Sequence, residues 1–483
     1  MVQTHAAVLL FLGDRVYKLK KPVNFGFLDF RERADRARMC HRETRCNRRL
    51  APDVYLGVAD VVGPDGKLCD HLVMMRRMPD DRRLSALVRQ GAPVAAGLDR
   101  LARLMAVFHA GAKRGPAIDA EGTRSALRGR WDASFDQLRR FHGGVLDGDA
   151  ATEVERLAHR FLAGRDLLFA ERIRRGAIVD GHGDLIADDV FLLDDGPRVL
   201  DCLEFDDRLR YVDVLDDIAF LAMDLEHLGA PEPAARFVDR YLQLSGDVAP
   251  AALLHHYTAY RAFVRAKVAC LRHEQGDPAA AADVTAYTGL TLHRLRTGTV
   301  RMVLVGGPPA TGKSTLAGQI ADRIGATVLS SDRIRQEVTG TDPRDGDGDG
   351  YRLGIHTTEW TEHTYAQMLW RARRLLQRGE SVVLDATWNR ERHRRCARDL
   401  AAGTSSELTE LRCTARPATV GARLGGRGPG ELSDAGIAAA VARAADAWPE
   451  SHEVPTDAPV PALTRALTLT GLSAPRERAG QHR

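Results

Sequence analysis

Lysine is what this chain has least of relative to its charge. Of 69 basic residues only seven are lysines, at positions 18, 20, 21, 67, 113, 267 and 313, and all the others are arginines. Lysine in such a chain marks places where a compact ammonium serves better than a planar guanidinium. Cysteine is also sparse. The seven residues (Cys40, Cys46, Cys69, Cys202, Cys270, Cys396 and Cys413) are odd in number and form no C-x-x-C pair. That pattern excludes a disulfide framework and a zinc-type spacing, and predicts reduced thiols and no structural metal. Long apolar runs are missing too. The run near the start, residues 6–12, is far too short for a membrane span and follows no charged signal-type segment, so a cytoplasmic chain without a membrane partner is expected. A net charge of +4 over 483 residues gives no argument for nucleic acid by itself.

What is present is enough for two or three domains: 44% hydrophobic residues spread over a length that exceeds what one core usually serves. The sharpest signal is Gly307-Pro-Pro-Ala-Thr-Gly312-Lys313-Ser314, which fits G-x-x-x-x-G-K-[ST] without mismatch. An apolar run (302–305) precedes it and helical spacing comes after it (314–324), giving strand, loop and helix. The chemistry needs these residues. Glycines let backbone N–H groups wrap phosphates, the helix start adds positive potential, Lys313 reaches the terminal phosphates and Ser314 can ligate magnesium. Gly307, Thr311, Gly312, Lys313, Ser314 and Thr315 are therefore the candidate nucleotide contacts.

Three of the remaining lysines lie together in Val16-Tyr-Lys-Leu-Lys-Lys21, whose alternation points Lys18 and Lys20 to one face of a strand. Residues 30–50 have helical spacing and carry Glu43, which can pair with one of those lysines and hold it against nucleotide phosphates. Residues 53–62 and 71–78 read as strands, and Pro79-Asp80-Asp81 as a hinge into a helical region made of residues 95–112, 151–176 and 251–296. Only one strand and the turn Gly13-Asp14 precede the lysine strand, leaving no room for a full Gly-rich flap.

Between the helices, a short strand at 177–179 leads into Asp180-Gly-His-Gly-Asp-Leu-Ile-Ala-Asp-Asp-Val190, and a second strand at 198–202 carries Asp201 near its end. Asp189 lies five residues after Asp184, the spacing of H-R-D-L-x-x-x-N. In that arrangement Asp184 accepts the proton of a substrate hydroxyl while Asp189 and Asp201 hold magnesium against the nucleotide. His182, just before the catalytic aspartate, is assigned to shaping the loop. At these residues, and at Leu200-Asp-Cys-Leu-Glu-Phe-Asp206 and Asp213-Val-Leu-Asp-Asp-Ile-Ala219, roughly the first 295 residues resemble the aminoglycoside phosphotransferase family, a branch of the protein-kinase-like fold. Asp189 stands where that family usually has asparagine, and Ile186 where it usually has a second histidine. If the acceptor is cationic, Asp206, Asp207 and Asp213 are the expected acidic walls.

After a polar linker at 296–300 the pattern alternates strand and helix, the rhythm of a parallel sheet. A strand at 327–329 ends in Ser330-Ser-Asp332-Arg-Ile-Arg335, which puts Asp332 at the carboxyl edge of the sheet, where it orients an acceptor hydroxyl or else caps a helix. Arg333 and Arg335 beside it suit an anionic group. Ser381-Val-Val-Leu-Asp385 is an apolar strand closing on an aspartate suited to supporting magnesium. Arg423 and Arg427 flank a Gly-rich turn that can serve as a lid over the transferring phosphate or simply as an exposed loop. From about residue 301 to 457 the chain resembles P-loop kinases related to zeta toxins and polynucleotide kinase, on Ser331-Asp332, Leu384-Asp-Ala-Thr387 and residues 423–434. Two motifs are discounted. Asp345-Gly-Asp-Gly-Asp-Gly350 opens like an EF-hand loop but has His356 where a glutamate is needed. The arginine run at 390–398 fits an exposed helix face better than a nucleic-acid grip.

The expected architecture is α/β: a bilobal protein-kinase-like α+β domain (1–296), a P-loop α/β domain with a parallel sheet (301–470) and a flexible tail (471–483). The expected activity is transfer of phosphate from ATP with Mg2+ to the hydroxyl group of a small molecule, once in each domain. Two alternatives stay open: a regulatory ATP-binding protein whose N-terminal half binds ligand without chemistry, and a nucleic-acid end kinase.

Overall fold

The computed structural model describes residues 1–3, 7–23, 29–340, 358–425, 443 and 445–471. Two units separate: Met1–Ala158 with Phe169–Ala249 and Leu253–Gly298, and Thr299–Arg483 with the short pieces His159–Leu168 and Pro250–Ala252. Arg427, the Gly-rich turn around it, the acidic loop at 345–350 and the tail from 472 lie outside the described residues.

The first unit begins with five strands, β1 (Val2–Gln3), β2 (Ala7–Leu12), β3 (Arg15–Lys20), β4 (Tyr55–Val62) and β5 (Leu68–Arg76), in the order β1-β2-β3-β5-β4 and antiparallel throughout. The register sets Lys18 between Leu9 and Val73. Alternation along β3 places Val16, Lys18 and Lys20 on one face, toward a core containing Val16, Val54, Tyr55, Val73, Met75, Met78 and Phe191. The helix Arg33–Asn47 lies between β3 and β4 in sequence and packs on β4 and β5. Its buried residues, Arg36, Cys40, Glu43, Thr44 and Asn47, keep helical spacing but are mostly polar. It is held by specific bonds rather than an apolar stripe: Arg36 to Asp70 at 3.0 Å and Asn47 Oδ1 to the N–H of Cys202 at 2.8 Å.

Helices dominate the rest of the chain up to Gly298, including the pieces His159–Leu168 and Pro250–Ala252 that belong to the second unit. Ala95–Gly111 packs on Pro231–Ser245 and contributes Leu98, Leu101, Ala102 and Met105 to a second core shared with Val214–His227, whose residues from Val214 to Leu225 are all buried. Two helical stretches are each divided. Residues 151–176 form Gly148–Ala163 and Asp166–Arg174, broken at Gly164-Arg165, and residues 251–296 form Ala251–Glu274 and Ala280–Thr297, broken where Gly276 and Pro278 stop a helix. The last of these runs to Thr297, so little linker remains before the next strand. Two small antiparallel pairs carry the loop chemistry: β6 (Ile178–Asp180) with β9 (Tyr211–Asp213), and β7 (Val190–Leu193) with β8 (Gly196–Val199). Strand β8 stops at Val199, short of the expected 202, because Asp201 takes a left-handed backbone (φ 58°) that no strand continues through.

The second unit is a five-stranded, wholly parallel sheet of β10 (Arg301–Gly306), β11 (Thr327–Ser330), β12 (Val382–Asp385), β13 (Glu407–Thr414) and β14 (His452–Pro455), ordered β11-β12-β10-β13-β14. Every residue of β10 is buried, as a central parallel strand covered on both faces requires. Val303, Val305, Val383, Leu411, Cys413 and Val454 share a core with Leu316, Ala317 and Ile320 of the helix Lys313–Ile324 and with Ala462 and Ala466 of Pro459–Leu469.

Candidate functional site

In the first unit the two lysines of β3 meet one glutamate from the polar helix. Lys18 Nζ lies 2.9 Å from Glu43 Oε1 and 2.8 Å from Asp201 Oδ1, while Lys20 Nζ donates to Glu43 Oε2 at 2.7 Å and to Glu204 Oε1 at 2.8 Å. Lys20 is 3% exposed and serves as the inner anchor beside the more exposed Lys18, and both line the cleft. Burial opposes the charge of Lys18, but Asp201, Glu43 and Glu204 outweigh that and hold the Lys18 ammonium well above its usual range. Lys18 in turn holds the Asp201 carboxyl below the usual carboxylate range. The left-handed Asp201 is fixed from behind by its own N–H, which donates to Tyr55 Oη at 3.2 Å.

The loop carrying Asp184 is fastened through its backbone. Asp217 accepts from the N–H of His182 at 2.7 Å and of Gly183 at 2.9 Å, and His109 Nε2 lies 3.1 Å from the same carboxylate. These bonds and His109 keep Asp217 ionised in spite of complete burial. Gly183 has φ 85°, and a Cβ there would stand 3.0 Å from the carbonyl oxygen of Leu209, so the turn has room only for glycine. His182 accepts the N–H of Asp184 at Nδ1 (3.3 Å), which leaves Nε2 to donate to the carbonyl of Leu200 at 3.0 Å. Both ring nitrogens are committed to shaping the loop.

Asp184, Asp189, Asp201 and Lys18 all open onto one cleft of about 550 Å3, whose apolar walls include Val16, Met75, Met78, Phe191 and Leu200. Burial pushes the Asp184 carboxyl up to about 6, against the pull of Arg265. Burial, with repulsion from Asp201 and Asp184, pushes the Asp189 carboxyl well above the usual carboxylate range, which Lys18 offsets only in part. Asp184, Asp189 and Asp201 bring hard oxygen donors of the kind that fit Mg2+ to a cleft that Lys18, Lys20, Arg76, Arg77 and Arg83 also line. Among the described residues, no three such side chains already converge tightly enough to cage an ion alone. Asp189 and Asp201 are the two carboxylates that such an ion would meet in this cleft.

The expected acidic walls are corrected. Asp213 is spent in the interior, bonded to Arg172 at 2.6 and 2.8 Å, with Asp247 on the other side of the same guanidinium. Asp207 pairs with Arg210 and Arg42, and Asp206 caps a turn by accepting from the N–H of Arg208. Sequence reasoning missed Tyr55, Asp217, Glu204 and Arg261, the last of which bonds Asp216 and the carbonyl of Gly183. Glu204 and Asp217 lie inside the motifs at 200–206 and 213–219, but nothing local reveals what they touch.

In the second unit the chain leaves β10 through Gly307 (φ 133°), where a Cβ would meet the carbonyl oxygen of Cys413 at 2.6 Å, and re-enters a helix at Lys313. Lys313 Nζ donates to the carbonyl of Pro308 at 2.9 Å, as does Thr311 Oγ1 at 2.8 Å. Asp385, at the end of β12, is 5% exposed; burial raises its pKa, while a hydrogen bond with Ser314 and the charge of Lys313 act the other way. Ser314 and Asp385 are thereby joined, with Thr315 exposed in the same helical turn. Arg423, on the helix Pro417–Gly425, lies on the loop itself, donating to the carbonyls of Ala310 at 3.3 Å and Thr456 at 2.7 Å. Ser330, not Asp332, occupies the cap position of the helix Ser331–Thr339, and Asp332 is exposed in its first turn, close enough to raise Asp385. Beside it Tyr365 Oη lies 3.3 Å from Thr387 and accepts from the N–H of Trp388, and its ring stacks on His393 at 3.9 Å; none of this was anticipated. The arginine run is largely paired. Arg392 bonds Glu362, Arg398 bonds Glu391 and Glu410, and Arg394 is fully buried.

Residues 302–450 match the family described as AAA domain. The chain is similar in structure to the GDP and kanamycin complex of APH(2")-IIia, with 14% identity over 61% of this chain and 91% of that one and a TM-score of 0.39. It is also similar to the Mycobacterium tuberculosis APS kinase CysC in complex with AMPPNP and APS, with 16% identity over 36% and 97% and a TM-score of 0.27. In sequence it is 44% identical over 458 residues, 95% of this chain and 92% of the relative, to uncharacterized protein Rv2004c of Mycobacterium tuberculosis, and it matches uncharacterized protein Mb2027c of Mycobacterium bovis equally. The chain belongs to one family with these two mycobacterial proteins.

Proposed function

We propose that the chain is an ATP-dependent phosphotransferase with two nucleotide sites, each passing a phosphoryl group to a hydroxyl of a small molecule. The observation that carries the reading is the contact of Lys18 with both Glu43 and Asp201 in the cleft that also exposes Asp184. A lysine held between two acids from separate elements is a fixed positive point for phosphate oxygens. Asp184 is then the base. It takes the proton of the acceptor hydroxyl as that oxygen bonds to the terminal phosphorus and the bond to the departing diphosphate breaks. Its raised pKa, about 6, keeps it ionised near neutrality while leaving it basic enough to receive a proton.

Mg2+, held by Asp189 and Asp201 in the first unit and by Ser314 and Asp385 in the second, would neutralise phosphate charge. In the second unit Lys313 and the loop from Gly307 to Thr315 bind the nucleotide, Asp332 orients the acceptor and Arg423 steadies the loop. The test is phosphate transfer from ATP across a panel of hydroxyl-bearing metabolites with wild type, Lys313→Ala and Asp184→Ala. Loss of transfer to different acceptors in the two variants supports two catalytic sites. If only Lys313→Ala matters, the first unit is a binding module.

A further inference from the structure

A second cavity of the first unit, of about 510 Å3, opens where the helices Ala95–Gly111, Asp166–Arg174 and Pro231–Ser245 end. It shares no lining residue with the cleft of Lys18 and Asp184, and the proposed reaction makes no use of it. Four arginines line it: Arg103, Arg114, Arg172 and Arg175. Arg172 is buried and neutralised by Asp213 and Asp247, which also spends Asp247, the carboxylate among the lining residues. The other three guanidinium groups have no carboxylate partner among the described residues.

Helix C-termini ordinarily disfavour anions, because their last carbonyls lack partners. Here those carbonyls are taken. Arg114 donates to the carbonyls of His109, Ala110, Ala112 and Gly176 at 2.7–3.2 Å. The N–H of Ala177 donates to the carbonyl of Arg172 at 3.0 Å and that of Gly246 to Leu242 at 2.9 Å. Arg103 and Arg175, both exposed and brought from different helices, are left to offer N–H donors to a ligand. Planar forks of this kind suit oxyanions, and the volume suits a small molecule.

One wall of the cavity reaches the loop that carries Asp184. His109 and Tyr241 both line it, with His109 Nδ1 2.9 Å from Tyr241 Oη. The other ring nitrogen of His109 lies 3.1 Å from Asp217, whose carboxylate holds the N–H groups of His182 and Gly183. A ligand packed against His109 and Tyr241 restrains the ring that supports Asp217. We propose that this cavity binds a small polyanion, phosphorylated or polycarboxylic, and that its occupancy steadies the loop carrying Asp184. The site is separate from both nucleotide sites, and its test needs no phosphate transfer.

The test compares the full-length protein with the Arg103→Gln/Arg175→Gln double variant, whose two altered side chains are exposed and outside the Lys18 cleft. Pyrophosphate and citrate are titrated by calorimetry in Mg2+-free buffer, and hydrogen exchange is followed by mass spectrometry with and without each. Any pyrophosphate taken up by the P-loop is common to both proteins. Loss of two charge-assisted contacts should weaken binding of at least one of the anions about tenfold or more in the double variant. In wild type the anion should slow exchange in residues 101–114 and 172–177 and, through Asp217, in residues 180–186, to an extent that the double variant does not show. Preference for pyrophosphate or for citrate supports the site either way and names the anionic group. Equal binding by the two proteins, or unchanged exchange in residues 101–114 and 172–177, overturns the site. Slowing there, with exchange in residues 180–186 unchanged or equally slowed in the double variant, overturns the link to the loop.

Discussion

At the residue scale the proposed function of the first unit rests on Asp184. Burial lifts its carboxyl to about 6, so the ionised, proton-accepting form grows as pH rises through that value. Transfer by the first unit should therefore fall on the acid side of about pH 6, and kcat/KM measured across pH 4.5–8 should show that limb. Asp184→Asn should lower kcat by about 10²- to 10⁴-fold while leaving ATP binding nearly intact, since the residue receives a proton and does not hold the nucleotide. A flat profile between pH 5 and 7 contradicts the assignment. This residue was legible because a glycine-flanked aspartate five positions before another acid is a local pattern. Asp217, which holds the same loop by two backbone hydrogen bonds, was not, because its partners lie 34 and 35 residues away.

At the scale of elements, the lysine strand announced itself by alternation, and the P-loop by a glycine spacing that admits few conformations. The helix Arg33–Asn47 was legible in period but not in character. Its buried face is Arg36, Glu43, Thr44 and Asn47, and only tertiary partners show why polar residues turn inward. The same reason misplaced the acidic walls. Asp213 looks available in sequence but is claimed by Arg172 from another helix, together with Asp247. That triad ties the helix Asp166–Arg174 to the start of Val214–His227. Arg172→Met should strand two buried carboxylates and destabilise the first unit by ~3–5 kcal/mol. Urea denaturation monitored by circular dichroism checks this; a midpoint within error of wild type shows that the triad contributes nothing.

For the whole molecule, the order of strands is the part the sequence hides. Alternating strand and helix implies a parallel sheet, but the sequence does not say that β10 lies between β12 and β13 and thereby sets Ser314 against Asp385. Both units nevertheless arrive at the same device, a lysine fixed near a buried or paired carboxylate at the mouth of a sheet or cleft, and the proposed function gives each its own nucleotide. The most direct measurement is the stoichiometry of ATP binding by titration calorimetry on the full chain in Mg2+ buffer. Two ATP per chain for wild type, falling to one in Lys313→Ala and to one in Lys18→Ala, is the predicted result. One ATP per chain for wild type, unchanged by Lys18→Ala and abolished by Lys313→Ala, contradicts it.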